Sequence, residues 1–211
     1  METVIVFIVS IDRMYKGKIK MSSNIKEKIL NIFTEQIQIF GIKSITLDKI
    51  AKMCGISKKT PYKYFEGKDQ IVTVIFDDLL DRLNDRFVEI DRSADEAMEK
   101  IHHIFDAMFE LLGSISVPLL TDIQSDYPDI NKKIDKFRDE HRDLVRRTIE
   151  SGIASGSMNG EINSSVAVDM IMGAAQAVLF PGYVIKNNLT LQSTIESFKV
   201  LILNGLVIER R

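Results

Sequence analysis

A chain of 211 residues and 24.0 kDa with 45% hydrophobic residues has enough apolar material for a sizeable core, which excludes a disordered or fibrous protein. Its single cysteine, Cys54, excludes an intramolecular disulfide and points to an intracellular, cytoplasmic protein. The net charge of −2 argues against a polyanionic partner until it is resolved by position: residues 21–70 carry nine Lys against five Asp plus Glu, residues 1–20 four basic against two acidic, and the remainder fifteen basic against twenty-three acidic. A basic front and an acidic rear confine any contact with polyanions to the front.

The opening run METVIVFIVSI is apolar and β-like, but it has no basic leader segment and no small-residue cleavage site. It is also far short of the roughly 20 apolar residues that cross a bilayer. Met21 is the expected start of the folded chain, with residues 1–20 an upstream extension or a short basic arm carrying Arg13, Lys16, Lys18 and Lys20. Over residues 24–40 the sequence NIKEKILNIFTEQIQIF has the helical period, with Ile25, Ile29, Ile32, Phe33, Gln36 and Phe40 on or near one face, and Gly41 stops it.

The stretch TLDKIAKMCGISKKTPYKYF, residues 46–65, carries the most specific chemistry. Leu47, Ile50, Ala51 and Cys54 recur at i, i+3, i+4, i+7, which predicts a short helix with one apolar face. Thr46 suits its N-cap, Asp48 complements its positive end, and Gly55 suits a left-handed C-terminal residue. Ala51 is small enough for close approach of a second helix, and Ser57 suits the N-cap of that helix. Lys58, Lys59, Thr60, Tyr62, Lys63 and Tyr64 make the second helix basic and aromatic, too polar for a core. Three helices in about 40 residues therefore form a small basic module.

Beyond Glu66-Gly67, residues 68–90 predict a long helix with Ile71, Val74, Ile75, Leu79, Leu83 and Phe87 at helical spacing. A further helix ends near Gly113, Pro118 fits the first turn of a short one, and Pro128 opens a long charged helix. GIASGSMNGEINSS is the clearest loop of the rear half. The closing runs, VAVDMIMGAAQAVLF and TLQSTIESFKVLILNGLVIE, are apolar almost all round, as in helices that meet a partner chain. Asp169, Gln176, Glu196 and Lys199 interrupt them, so neither is read as a membrane span.

In order and spacing, the first helix, ITLDKIAKMCGISKKTPYKYFEGKDQIV, the long helix, the glycine-rich loop and the two closing helices resemble the tetracycline-repressor (TetR) family of bacterial regulators. The front match spans roughly fifty residues and is specific; the rear match is a weak pattern. The resemblance implies an all-α homodimer with a helix-turn-helix DNA-binding domain over 21–68 and a helical ligand-binding and dimerisation domain over 69–211. It implies a transcriptional regulator, a repressor released from double-stranded operator DNA by an apolar or amphipathic small molecule, with no cofactor, no enzymatic activity and no membrane partner. It places Thr46, Ser57, Lys58, Lys59, Thr60, Tyr62, Lys63, Tyr64 and Lys68 at the DNA. It also makes Met170, Gly173, Ala174, Ala177, Ile195, Phe198, Ile202 and Gly205 candidates for the dimer interface.

Met98, His102, Phe105, Met108, Phe109, Phe137, His141 and Met172 could line the ligand pocket, although Met and aromatic stripes at helical spacing more often form core. His102 and Asp106 lie one turn apart as two metal ligands would, but no second His at i+4 and no Cys or Glu cluster completes a site. No phosphate-cradling glycine loop, nucleophile elbow or catalytic carboxylate pair is present in the sequence.

One residue departs from the family pattern. Pro61 stands where an aliphatic residue is usual, at the fourth position of a helix opened by Ser57, where its missing amide forfeits a hydrogen bond and its ring crowds the turn. The second helix then either starts late or opens with a tighter turn. Pro61 is also what supports the alternative of a helical binding or interaction protein that keeps the fold without regulating promoters.

Overall fold

In the computed structural model, residues 24–113 and 115–207 are described, and all regular structure among them is helical. The extension expected over residues 1–20 lies outside them. The helices are α1 (Ile25–Phe40), α2 (Leu47–Cys54), α3 (Lys68–Arg92), α4 (Ala97–Gly113), α5 (Val117–Asp126), α6 (Pro128–Ser155), α7 (Ser164–Val178), α8 (Pro181–Lys186) and α9 (Leu191–Leu206). A three-residue 3-10 turn, Pro61–Lys63, lies between α2 and α3. No single described helix is long and apolar enough to cross a membrane.

The described residues divide into two compact units, one comprising 24–79 together with 115–131, the other 80–113 with 132–207. The first contains α1, α2, the 3-10 turn, the beginning of α3, and α5. Helix α1 is capped by Asn24, whose side chain accepts from the Lys26 amide at 3.0 Å, and it packs against both α2 and α5. Ile29, Phe33 and Ile37 of α1 are buried with Ile42, Ile45, Ile50, Ala51, Phe65, Ile71 and Val72. Each large apolar side chain so buried stabilises the unit by about 1.5–3 kcal/mol before entropy is counted. That α5 shares this core does not follow from local periodicity; it is a packing fact between segments some eighty residues apart.

In the second unit α4 packs against α9, and α9 against α7 and α8. Pro181 at the first turn of α8 supplies the fixed φ of a helix start after Phe180, an element absent from the sequence expectations. At the glycine-rich loop, the Gly152 carbonyl accepts from the amides of Ser157 at 2.9 Å and Met158 at 3.0 Å, and the Asn159 amide donates to the Leu206 carbonyl at 3.1 Å. Met158 is thereby buried against Gly152, where an added Cβ would stand 2.5 Å from its sulfur.

Candidate nucleic-acid interface

Helix α2 forms as its sequence dictates. The Thr46 hydroxyl oxygen accepts from the Lys49 amide at 3.3 Å, and Leu47, Ile50, Ala51 and Cys54 face the core. At its C-terminus Gly55 adopts φ +69° and ψ 31°, so that its amide donates to the Lys52 carbonyl at 3.1 Å and the Ile56 amide reaches back to the Ala51 carbonyl at 3.0 Å. Those two bonds satisfy carbonyls that the helix end would otherwise leave open. As a cap, Thr46 uses only its oxygen; its hydroxyl hydrogen remains able to donate to an incoming phosphate.

The second half of the motif differs from the expected α-helix. Its backbone is a run of tight turns: the Thr60 amide donates to the Ser57 carbonyl at 2.9 Å, the Lys63 amide to Thr60 at 3.1 Å, and the Tyr64 amide to Pro61 at 3.0 Å. Each spans three residues rather than four. Pro61 has no amide to contribute, and its ring excludes the wider α turn, so the segment settles into 3-10 geometry. The expected N-cap is also corrected. Ser57 does not accept from a helical amide; its hydroxyl pairs with that of Thr60 at 2.8 Å, and the turn has no side-chain cap.

What replaces helical bonding is burial. Pro61 and Phe65 are both buried, so Pro61 occupies the inward position that an aliphatic residue would fill. The Phe65 amide closes the segment on the Pro61 carbonyl at 3.0 Å. With those two rings inward, Ser57, Lys58, Lys59, Tyr62, Lys63 and Tyr64 are exposed and Thr60 is half-buried. Tyr62 is 57% exposed.

Two of the lysines expected at the DNA also have partners within the protein. Lys58 Nζ lies 2.7 Å from Asp48 Oδ2, and this bond raises the Lys58 pKa from its ordinary value. The pair is exposed and weak, so a phosphate can compete for the lysine. Lys68 Nζ donates to the Ile42 carbonyl at 3.1 Å, and its side chain belongs to the support of the segment between α1 and α2. Neither partnership was visible in the spacing: Asp48 is ten residues from Lys58, and Ile42 twenty-six from Lys68.

In the second unit the eight pocket candidates separate. Phe105 and Phe109 stack with ring centroids 5.5 Å apart, and both meet Phe198 edge-on at 6.3 and 6.0 Å. A second group joins Phe137 and His141, stacked at 4.2 Å, to Phe87, which sits edge-on to His141 at 4.8 Å. His141 Nδ1 is 2.9 Å from the Phe137 carbonyl. Met98, Met108 and Met172 are half-buried, whereas His102 is exposed and does not face an interior. Asp106, one turn from His102, pairs with Lys199. Among the described residues no group of three or more His, Cys, Asp or Glu could hold a metal.

The dimer candidates divide as well. Ile195 and Phe198 are buried inside their own unit, Phe198 against Phe105 and Phe109, and so are not available to a partner. Ala174 and Ile202 are half-buried; Met170, Gly173, Ala177 and Gly205 are exposed, with Met170 at 67%. Leu201 and Val166, not among those candidates, are exposed as well, Leu201 at 72%. The signal for Val166 lay in the period: residues 166, 170, 173 and 177 share one face of α7.

The geometry defines an all-helical protein whose first unit presents a lysine- and tyrosine-bearing helix-turn-helix. Residues 34–75 match the model of the tetR family of bacterial regulatory proteins. The chain is 37% identical over 79 residues to an uncharacterized HTH-type transcriptional regulator, YhgD, of Bacillus subtilis strain 168, and 30% identical over 87 residues to the HTH-type transcriptional repressor KstR2 of Mycolicibacterium smegmatis. These matches cover 37% and 41% of this chain, and only 38% and 42% of the respective relatives. A solved transcriptional regulator of the TetR/AcrR family from Thermobifida fusca YX-ER1 superposes with a TM-score of 0.65 over 88% of this chain and 98% of its own, at 24% identity, a likeness of fold. Residues 34–75 are thus similar in sequence to the tetR family, and beyond them the likeness is one of fold.

Proposed function

We propose that this protein is a sequence-specific DNA-binding transcriptional regulator, a repressor that acts as a homodimer and leaves its operator when a small molecule binds its second unit. The observation that carries the proposal is the outward row of Lys58, Lys59, Tyr62, Lys63 and Tyr64 on a segment pinned from within by Pro61 and Phe65. Lysines bind phosphates as point charges and donate to guanine edges, while tyrosines offer a rigid face and a hydroxyl. Thr46, at the start of α2, adds a phosphate donor.

Because the reading segment is a short 3-10 turn, it reaches the major groove by its side chains rather than by an inserted α-helix. Two such segments in a dimer must lie about 34–36 Å apart, or at a multiple of the groove repeat, to engage successive major grooves. Dimerisation is assigned to the exposed faces of α7 and α9, around Met170, Gly173, Ala177, Leu201 and Gly205. The aromatic groups around Phe105 and Phe137 suit an apolar or amphipathic effector. A ligand that favours a dimer unable to span the two grooves by about 2.8 kcal/mol lowers operator affinity about a hundredfold.

The test is a selection of bound fragments from a random duplex library. Recovery of a palindromic site supports the proposal. Recovery of no preferred sequence overturns it in favour of a second reading, an interaction protein of the same fold, which the loss of an α-helical recognition element at Pro61 favours.

A further inference from the structure

The segment between α1 and α2 is held by side chains that come from distant parts of the first unit. Gly41 ends α1 with φ +73°, a conformation that L side chains rarely adopt. Lys43 follows, and its backbone amide donates to Asp122 Oδ2 of α5 at 3.0 Å. Asp122 is only 7% exposed, and such a carboxylate is tolerated where its oxygens receive hydrogen bonds. Gly41 makes the approach possible, because a Cβ there would stand 2.7 Å from Asp122 Oδ2.

The Lys43 ammonium is turned to the same helix, 2.7 Å from Asp126 Oδ2 and 3.7 Å from Asp122 Oδ1. The hydrogen bond with Asp126 raises the lysine's pKa and lowers that of the carboxylate. One residue earlier in the connector, the Ile42 carbonyl accepts from Lys68 at the start of α3. Tyr127, directly after α5, donates its hydroxyl to Asp69 Oδ1 at 2.8 Å, and burial followed by that bond keeps the phenol protonated well above its ordinary range. Connector, α5 and the start of α3 thus close a ring of hydrogen bonds in which the buried carboxylate is Asp122.

From this ring we infer that Asp122 is a positioning residue for DNA reading: it locks the backbone at Lys43, three residues before Thr46, and so sets the placement of α2 and of the turn that follows it relative to α1. The inference rests on the DNA-binding proposal. It also assigns Lys43 and Lys68, two of the nine lysines of residues 21–70, to holding the unit together, while Lys58, Lys59 and Lys63 keep the outward charge beside the tyrosines.

The experiment compares the wild-type chain with Asp122→Ala, Asp122→Asn and Gly41→Ala, at a temperature where circular dichroism shows all to be folded. Two quantities are read: exchange of the Lys43 amide hydrogen, and affinity for the duplex that the wild type recovers from a random library. Asp122→Ala removes the acceptor, and Gly41→Ala drives the carboxylate off the amide; each should speed Lys43 exchange and lower affinity about tenfold, the size expected from losing one charge-assisted hydrogen bond. Asp122→Asn keeps an acceptor oxygen and should stay within about threefold of the wild type.

A merely structural Asp122 would lower the unfolding temperature and leave affinity unchanged in the folded variants; that result overturns the inference while the DNA-binding proposal stands. If Asp122→Ala does not fold, unchanged affinity in Gly41→Ala overturns it equally. A wild type that binds no duplex while its Lys43 amide is protected removes the DNA-binding proposal and the positioning role with it.

Discussion

Through Leu47–Cys54 the backbone holds itself: Thr46 caps one end, a left-handed Gly55 closes the other, and the apolar face is satisfied by side chains one helical turn apart. From Ser57 to Phe65 almost none of that applies. Pro61 removes the amide an α-helix would need, the bonds up to Tyr64 shorten to a three-residue span, and placement depends on two buried rings, Pro61 and Phe65. One half of the motif is specified by local backbone chemistry and the other by burial. The half that reads DNA in this account is the one held by burial, so its geometry should be the more sensitive to changes in the core.

That contrast can be broken most forcefully at Phe65. Truncating it to alanine removes the inner anchor of the second half and should destabilise the first unit by about 3–5 kcal/mol in a thermal or denaturant unfolding experiment, with α2 unable to hold the turn in place. A loss below about 1 kcal/mol would mean that the turn is held by something other than burial. Next in size is Gly55→Ala. Nothing lies within 4 Å of the added Cβ, so the cost is the left-handed backbone alone, about 1–2 kcal/mol by the same measurement. No cost there would deny that α2 is closed by its own backbone.

Pro61→Leu sharpens the comparison from the other side. It keeps an apolar group at the buried position and restores an amide, so the change in stability should stay within about 1.5 kcal/mol while the segment lengthens toward an α-helix. Amide protection at residue 61, read by hydrogen exchange, would report the new bond; an unprotected amide would show that proline is not what holds the turns tight. Smallest in stability are Lys58→Ala, Lys59→Ala and Lys63→Ala, each within about 0.5 kcal/mol because the side chains are exposed. They should differ in DNA binding: losing Lys59 or Lys63 lowers the salt slope by about 1 each. Losing Lys58 lowers it by less, since that lysine is shared with Asp48.

The all-helical fold and the α2 half of the motif were legible because their determinants are local: helical periods, the Thr46 cap, Gly55, and prolines at helix starts. Pro61 could be seen as a departure, but only the structure resolves it as a 3-10 segment in which the ring itself is buried. Contacts between remote segments were beyond the sequence. Nothing in the spacing links Lys43 to Asp122, seventy-nine residues away, or turns Phe198 inward onto Phe105 and Phe109 rather than toward a partner. Helix α8 escaped because its six residues are too few to establish a period.

The central claim is that the exposed row following Gly55 binds the DNA backbone as well as its bases. It is tested most directly by titrating the protein with the selected duplex at several salt concentrations. If each subunit of a dimer meets about four phosphates, the logarithm of the binding constant should fall with that of the salt concentration with a slope of about −7. A slope near zero would contradict the account outright.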